Sequence, residues 1–206
     1  DTPMPIKLAI FDVDGTLLRG DTACLWIARK INRYERMKEL ENSSTKQQVA
    51  DSQREMAGWY TGMSPEYLMG DMKDFPWAPG IHEGIKMLQD AGVTVALASI
   101  GWDFVLEKIA SLFGIEHILA STLDFETLEI GHALDVHKAE YANKLSGELN
   151  IPLSQIAGIG DRPNDFYLLE SCGLGIYVGP KPPPPDKHFT HLPNADIRDV
   201  ATAIIG

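Results

Sequence analysis

The chain has 206 residues, 44% of them hydrophobic, enough for one generous domain or one domain carrying a smaller insertion. Its formal net charge of -11 excludes sequence-blind nucleic-acid binding, which needs a basic face, and argues against docking on anionic membranes. Cys24 and Cys172 have neither metal-ligand nor redox spacing, and no run of 18 apolar residues or basic-then-apolar leader occurs, so a cytoplasmic protein is expected. Asp1 to Pro3, ahead of Met4, read as an extraneous start.

The first strand-sized run is "KLAIF", continuous in its apolar character as strands buried on both faces are. From about Thr22 to Phe75 no strand-like run follows; three helical patterns are predicted instead. The first, "TACLWIARKINRYERMKEL", sets Ala23, Ile27, Ile31, Tyr34 and Met37 along one stripe. The second runs around Val49, Met56 and Tyr60. The third opens at "SPEYL", with Ser64 as N-cap and Pro65 at the first helical position. The chain returns through "PWAPG", whose prolines suit a stiff joint. Residues 21–75 are therefore expected to form a helical cap inserted after the first strand, with residues 1–20 and 76–206 as the core.

Beyond the joint, helix and strand alternate. "GIHEGIKMLQDAG" predicts a helix burying Ile81, Ile85 and Leu88 and stopping at Gly92. The strand "VTVALAS" follows, then "WDFVLEKIASLFG", with Val105, Ile109 and Leu112 inward and Gly114 closing it. "ASTLDFETLEIGHAL" reads as a small hairpin and "AEYANKLSGELN" as a helix with Ala142, Leu145 and Leu149 on one face. The strands "IAGIG" and "LGIYV", a proline-dense loop spanning residues 180–185 and a last helix, "ADIRDVATAII", complete the chain. This order predicts an α/β fold with a doubly wound parallel sheet.

Asp12 and Asp14 directly follow the first strand, and side-chain alternation sends both the same way. In a doubly wound sheet, ligands bind at the carboxyl ends of strands. A second acidic pair, Asp161 and Asp165, follows "IAGIG". Carboxylates converging on one crevice need a countercharge, and a hard divalent cation such as Mg2+, which prefers oxygen ligands, supplies it. Ser99 ends another strand and precedes Gly101, a hydroxyl and backbone N–H groups suited to anionic oxygens. Lys138 offers positive charge for a phosphoryl group. Phosphate monoesters hydrolyse among the slowest of uncatalysed reactions, so metal, nucleophile and acid together are a sensible requirement.

With these residues in place, the sequence resembles the haloacid-dehalogenase superfamily, in particular its phosphoserine-phosphatase-like branch with a Rossmann-like core. "DVDGT" (12–16) matches the first motif, Ser99 the second, Lys138 the third and "GDRPND" (160–165) the fourth. The resemblance implies that Asp12 is a nucleophile forming an aspartyl-phosphate and that Asp14 is the general acid and then base. It implies Mg2+ bound by Asp12, the Asp14 carbonyl, Asp161 and Asp165. Ser99 and Lys138 would hold the phosphate, with Gly101 and Asn164 as secondary contacts. The chain departs from the branch where it reads Ser99-Ile100-Gly101 instead of Ser-Gly-Gly. Asp21 stands where a glutamate reads the substrate ammonium, and Arg54 lies close to, but out of step with, the arginine that reads the substrate carboxylate.

The implied activity is Mg2+-dependent hydrolysis of a small phosphorylated metabolite, with phosphoserine itself not specified. A phosphotransferase or mutase on the same scaffold shares these residues, and so does a phospho-receiver or binding module. Asp14 opposes the receiver, since an acid two residues past the nucleophile destroys an aspartyl-phosphate rather than storing it. Asp21 is equally readable as the cap of the helix beginning at Thr22. His132, His137, His188 and His191 do not make a metal set. Trp26, Trp59, Trp77 and Trp102 read as core or cap-seam residues.

Overall fold

The computed structural model describes residues 4–206, so the reading of Asp1 to Pro3 lies outside the described residues. Leu8–Phe11 form β1, with all four side chains buried, in the middle of a seven-stranded sheet. β2 (Thr94–Trp102) and β5 (Ile156–Gly160) flank it in parallel, so Phe11 lies opposite Leu97 on one side and Ile159 on the other. On the β2 side, β3 (His117–Leu123) extends the sheet and β4 (Ile130–Gly131) returns antiparallel as the expected hairpin. On the other side come β6 (Leu174–Tyr177) and β7 (Thr190–His191), giving the order β4-β3-β2-β1-β5-β6-β7. The strand order turns around at β1, and a doubly wound sheet opens its binding crevice at such a reversal.

The alternation of β1 divides the core. Ala9 and Phe11 join one cluster; Leu8 and Ile10 join the other, with Tyr141, Ala142, Leu145, Leu168 and Leu169. Those partners lie on two of the nine α-helices among the described residues. In chain order these are α1 (Ala23–Lys30), α2 (Tyr34–Leu40), α3 (Lys46–Trp59), α4 (Pro65–Met69), α5 (Ile81–Asp90), α6 (Asp103–Phe113), α7 (Asp135–Leu149), α8 (Phe166–Ser171) and α9 (Ile197–Ile205). α5 buries Ile81, Ile85 and Leu88 as its spacing predicts. α6 buries Val105 and Ile109, but Leu112 is 55% exposed; Phe113 takes the inward place, edge-on to Trp77 and beside His82. α7 starts four residues before the expected "AEYANKLSGELN", so Lys138 stands in its first turn instead of in a preceding loop.

Between β1 and α5 lie the four helices α1–α4. The stripe from Ala23 to Met37 is two helices, not one: Asn32 takes φ 60° and turns the chain between α1 and α2. Asparagine accepts this left-handed conformation, and the spacing on either side of the break still suits a helical period, which is why the stripe conceals it. Ser64 caps α4 by accepting from Tyr67 N–H, with Pro65 in the first turn, as expected. The chain leaves and returns through a paired neck, with Arg19 N–H donating to Pro76 O at 2.9 Å and Ala78 N–H to Leu17 O at 2.8 Å. At the far end of α3, Tyr60 stacks on Phe125 and stands edge-on to Trp102 and Phe104, seating the helices on the sheet. Among the described residues no helix is long and apolar enough to cross a membrane.

Candidate active site

The turn after β1 is shaped around its acids. Asp12 N–H continues the sheet by donating to Ile159 O at 2.9 Å, which ties the first carboxylate to the end of β5. Gly15 then takes φ +83°, and a Cβ there would lie 2.0 Å from Asp161 Oδ2. Only glycine combines that backbone with that approach. Thr16, fully buried, donates its hydroxyl to Asp12 Oδ2 at 3.1 Å. At the end of β5, a Cβ on Gly160 would sit 2.4 Å from the Asp165 Cβ, so the missing side chain admits the second acidic pair.

Three carboxylates converge here: one oxygen each from Asp12, Asp161 and Asp165 lies within 4.8 Å of the others. Lys138 reaches in from α7, 3% exposed, donating to Asp12 Oδ1 at 2.8 Å and Asp165 Oδ1 at 2.7 Å. Burial pushes the Asp12 carboxyl up, but Lys138 and the bonds from Asp161 and Lys138 outweigh it and hold the pKa below its ordinary value. Asp161 makes no ion pair among the described residues. Burial, and then the charge of Asp12, push it up to about 9. Burial and Asp12 likewise raise Asp165, which also accepts from the Asp161 N–H at 3.0 Å. An all-oxygen donor set with one acid outside any ion pair fits a hard divalent cation.

Asp14 lies two residues further along the same turn. Its Oδ1 accepts from Ala23 N–H at 2.8 Å, and burial together with the nearby charges of Asp12 and Glu41 pushes it up to about 6. Beside it is the end of β2. The ladder to β3 pairs Ala98 with Leu119 and then Trp102 with Ser121, so Ser99, Ile100 and Gly101 bulge opposite Ala120 alone. Bulges of this kind occur beside active sites, where they re-aim a side chain. Ser99 Oγ accepts from Gly101 N–H at 2.9 Å, and a Cβ on Gly101 would be 3.8 Å from Asp14 Oδ2.

The structure thus gathers Asp12, Asp14, Ser99, Gly101, Asp161 and Asp165 at the carboxyl ends of the central strands β1, β2 and β5, with Lys138 reaching in from α7. Of these, Asp14 and Gly101 line a 390 Å³ cleft, together with Asn164, Asp135 and Arg162. Two expected residues do not arrive. Asp21 accepts from Arg29 Nε at 2.7 Å and Tyr34 OH at 3.1 Å, facing away from the cleft; Thr22, not Asp21, caps α1 by accepting from Leu25 N–H. Arg54 pairs with Asp51 one turn earlier on the exposed side of α3. Sequence spacing missed Glu41, which lines the far end of the cleft and accepts from Thr22 Oγ1 at 2.6 Å. It also missed Arg162, which sat unremarked inside the fourth motif; burial opposes its charge, but Asp12, Asp161, Asp165 and Asp14 together raise its pKa. The histidines serve elsewhere: His137 Nδ1 accepts from Leu134 N–H, and His191 Nε2 lies 2.7 Å from Gly179 O.

The family model for haloacid dehalogenase-like hydrolases matches residues 9–170. A phosphoserine phosphatase of Idiomarina loihiensis is 28% identical over 184 residues, covering 85% of this chain and 83% of the relative. Another, from Methanocaldococcus jannaschii, is 27% identical over 202 residues, covering 94% and 95%. Among solved structures, a phospho-aspartyl intermediate analogue of phosphoserine phosphatase superposes with a TM-score of 0.70 at 24% identity, covering 84% of this chain and 87% of that one. The phosphoserine phosphatase from T. onnurineus gives 0.66 at 22% identity, covering 100% and 98%. At such identities the solved structures speak for the fold alone; the family match and the sequence relatives carry the rest. The chain belongs to the haloacid dehalogenase-like hydrolases, in their phosphoserine-phosphatase-like branch, as an enzyme of the phosphoric monoester hydrolase class.

Proposed function

We propose that the protein is a Mg2+-dependent phosphatase that hydrolyses a small phosphorylated metabolite through an aspartyl-phosphate on Asp12. The observation supporting this reading is the buried cluster of Asp12, Asp161 and Asp165, with Lys138 bonded to two of them and Asp14 on the neighbouring wall. Asp12, kept ionised by Lys138, attacks phosphorus as the bond to the leaving oxygen breaks. Asp14 gives that oxygen its proton. Water then attacks the acyl phosphate, Asp14 takes a proton from it, and inorganic phosphate leaves with Asp12 restored. Lys138, the Ser99 hydroxyl and Arg162 face the charge that builds on the phosphoryl oxygens. Mg2+, held by the Asp12, Asp161 and Asp165 carboxylates with the Asp14 main-chain carbonyl, supplies further positive charge at the phosphate when bound.

In this reading residues 21–75 act as a cap over the leaving group, on a core of residues 1–20 and 76–206. The cap end of the cleft offers Glu41 and Thr22 beside Met37, Leu40, Val49 and Met56, while Asp21 and Arg54 are engaged elsewhere. This composition suits a leaving group with an apolar part and does not specify phosphoserine. Cys24 and Cys172 are both free thiols, in keeping with a cytoplasmic address. The test is release of inorganic phosphate from an aryl phosphate, with and without Mg2+, followed by a panel of phosphorylated metabolites. No Mg2+-dependent release would refute the assignment; a preference for phosphoserine of roughly 10²-fold or more would refute the account of the cap.

A further inference from the structure

The bulge at the end of β2 leaves the half-buried Ile100 carbonyl outside the sheet ladder, so its donors come from side chains. There are two. Gln53 Nε2, from α3, donates at 2.8 Å, and Ser121 Oγ, from β3, donates at 2.7 Å. Gln53 is 4% exposed and Ser121 fully buried. The remaining polar atoms are also engaged: Gln53 Nε2 reaches Ser121 Oγ at 3.2 Å, Ala133 N–H donates to the same oxygen at 2.9 Å, and Gln53 Oε1 meets His132 Nδ1. A carbonyl oxygen only accepts, so the amide of Gln53 must turn its NH2 towards Ile100 and its oxygen towards a protonated His132 Nδ1.

The consequence lies on the opposite side of one peptide plane. No peptide bond in the described chain is cis, so the Ile100 C=O and the Gly101 N–H point in opposite directions. With the oxygen anchored by Gln53 and Ser121, the Gly101 N–H is aimed at Ser99 Oγ. That bond occupies a lone pair of the hydroxyl and frees its proton for a phosphoryl oxygen. A continuous line therefore runs from the helical insertion to the phosphate site: Gln53 amide, Ile100–Gly101 peptide, Ser99 hydroxyl. We propose that Gln53 is a positioning residue that sets the phosphate-binding donor Ser99 from the cap, through the orientation of the Ile100–Gly101 peptide. This rests on the phosphatase reading above and adds that the cap, besides covering the leaving group, helps preorganise the phosphoryl site.

The measurement is the inhibition constant of inorganic phosphate against an aryl and an alkyl phosphate substrate, in saturating Mg2+, for the wild type, Gln53→Ala, Gln53→Glu and Ser121→Ala. Removing an oxyanion donor outright costs 10²–10³-fold, and mis-aiming one costs less, so Gln53→Ala should raise the phosphate Ki and lower kcat/KM by roughly 10-fold. The factor should be the same for both substrates, because the leaving group is not involved. Gln53→Glu keeps the size but sets a carboxylate against the carbonyl, so it should be at least as damaging as alanine. The Mg2+ concentration for half-maximal activity should not move. An unchanged phosphate Ki, or an effect confined to one leaving group, overturns the proposal; the second result would make Gln53 a reader of substrate. If Gln53→Ala does not fold, Ser121→Ala, which removes the other donor to the same carbonyl, should still raise the phosphate Ki severalfold, and no rise refutes the coupling. A wild type that neither releases phosphate nor binds it fails the phosphatase reading itself, an outcome distinct from any variant failing alone.

Discussion

Lys138→Met removes the one cation that two buried carboxylates share. Its Nζ lies 2.8 Å from Asp12 and 2.7 Å from Asp165, with the lysine and both partners nearly sealed from water. Deleting one partner of a buried ion pair costs about 3–5 kcal/mol, because the remaining charge stays desolvated. For a domain near this size each kcal/mol moves Tm by about 2–4 °C, so the Mg2+-free variant should melt roughly 6–20 °C below the wild type at neutral pH. Saturating Mg2+ restores positive charge to the same three carboxylates, and the deficit should then shrink by at least half. The pH dependence has a definite sign. Asp161 has its pKa raised from 3.8 to about 9, so its contribution to stability is present at low pH and is lost as pH rises through the folded value. Without Lys138, Asp12 loses the charge that lowers it and burial pushes it the same way. The deficit of the Mg2+-free variant should therefore diminish as pH falls from about 9 towards 4. Thermal melts with and without Mg2+ across that range decide the matter. A deficit below 1 kcal/mol, or one equal in both conditions, would refute the claim that Lys138 neutralises a metal-binding cluster.

Asp12→Asn should abolish phosphate release, because an amide cannot attack phosphorus; turnover within tenfold of wild type removes Asp12 as nucleophile. Asp14→Asn should slow release from an alkyl phosphate by roughly 10²–10⁴-fold, with a smaller loss on an aryl phosphate whose leaving oxygen needs little help. EDTA should silence the enzyme and Mg2+ restore it, and Asp161→Ala should raise the Mg2+ required; full activity in excess chelator would contradict the metal site. Asp21→Ala breaks a half-exposed pair with Arg29, so kcat/KM should stay within about twofold. Glu41→Gln should change kcat/KM by a factor that differs between leaving groups, and a uniform effect would take Glu41 out of substrate reading.

The central sheet was legible because its strands are buried on both faces and therefore read as unbroken apolar runs: "KLAIF" and "IAGIG" are β1 with its lead-in residue and β5. The errors fall where one pattern serves two structures. Ala23 to Met37 keeps helical spacing across a break, because the turn at Asn32 lies at a point where the stripe has no residue to misplace. Leu112 has the right spacing for the buried face of α6, but in the last turn Phe113 packs inward against Trp77 and Leu112 is left exposed. Periodicity reports which face of an element is apolar, not how far the neighbouring layer extends beneath it.

The site divides the same way, for a different reason. Asp12, Asp14, Asp161 and Asp165 were visible because each lies at most five residues beyond a strand end, where the main chain alone decides what it meets; Gly15 and Gly160 appear beside them because an added Cβ would collide with Asp161 or Asp165. Glu41 and Gln53 come into play only through the tertiary path of the insertion, which turns twice before it returns over the cleft. No local spacing links Gln53 to Ile100, 47 residues away. Even so, a trace of that contact was in the sequence. The second motif departs from the branch by carrying Ile100 where a glycine is usual, and the bulge around it leaves a carbonyl that must find donors. A motif variant that changes no catalytic group can still show where the scaffold around the site differs, and here the freed carbonyl is met by Gln53 from α3.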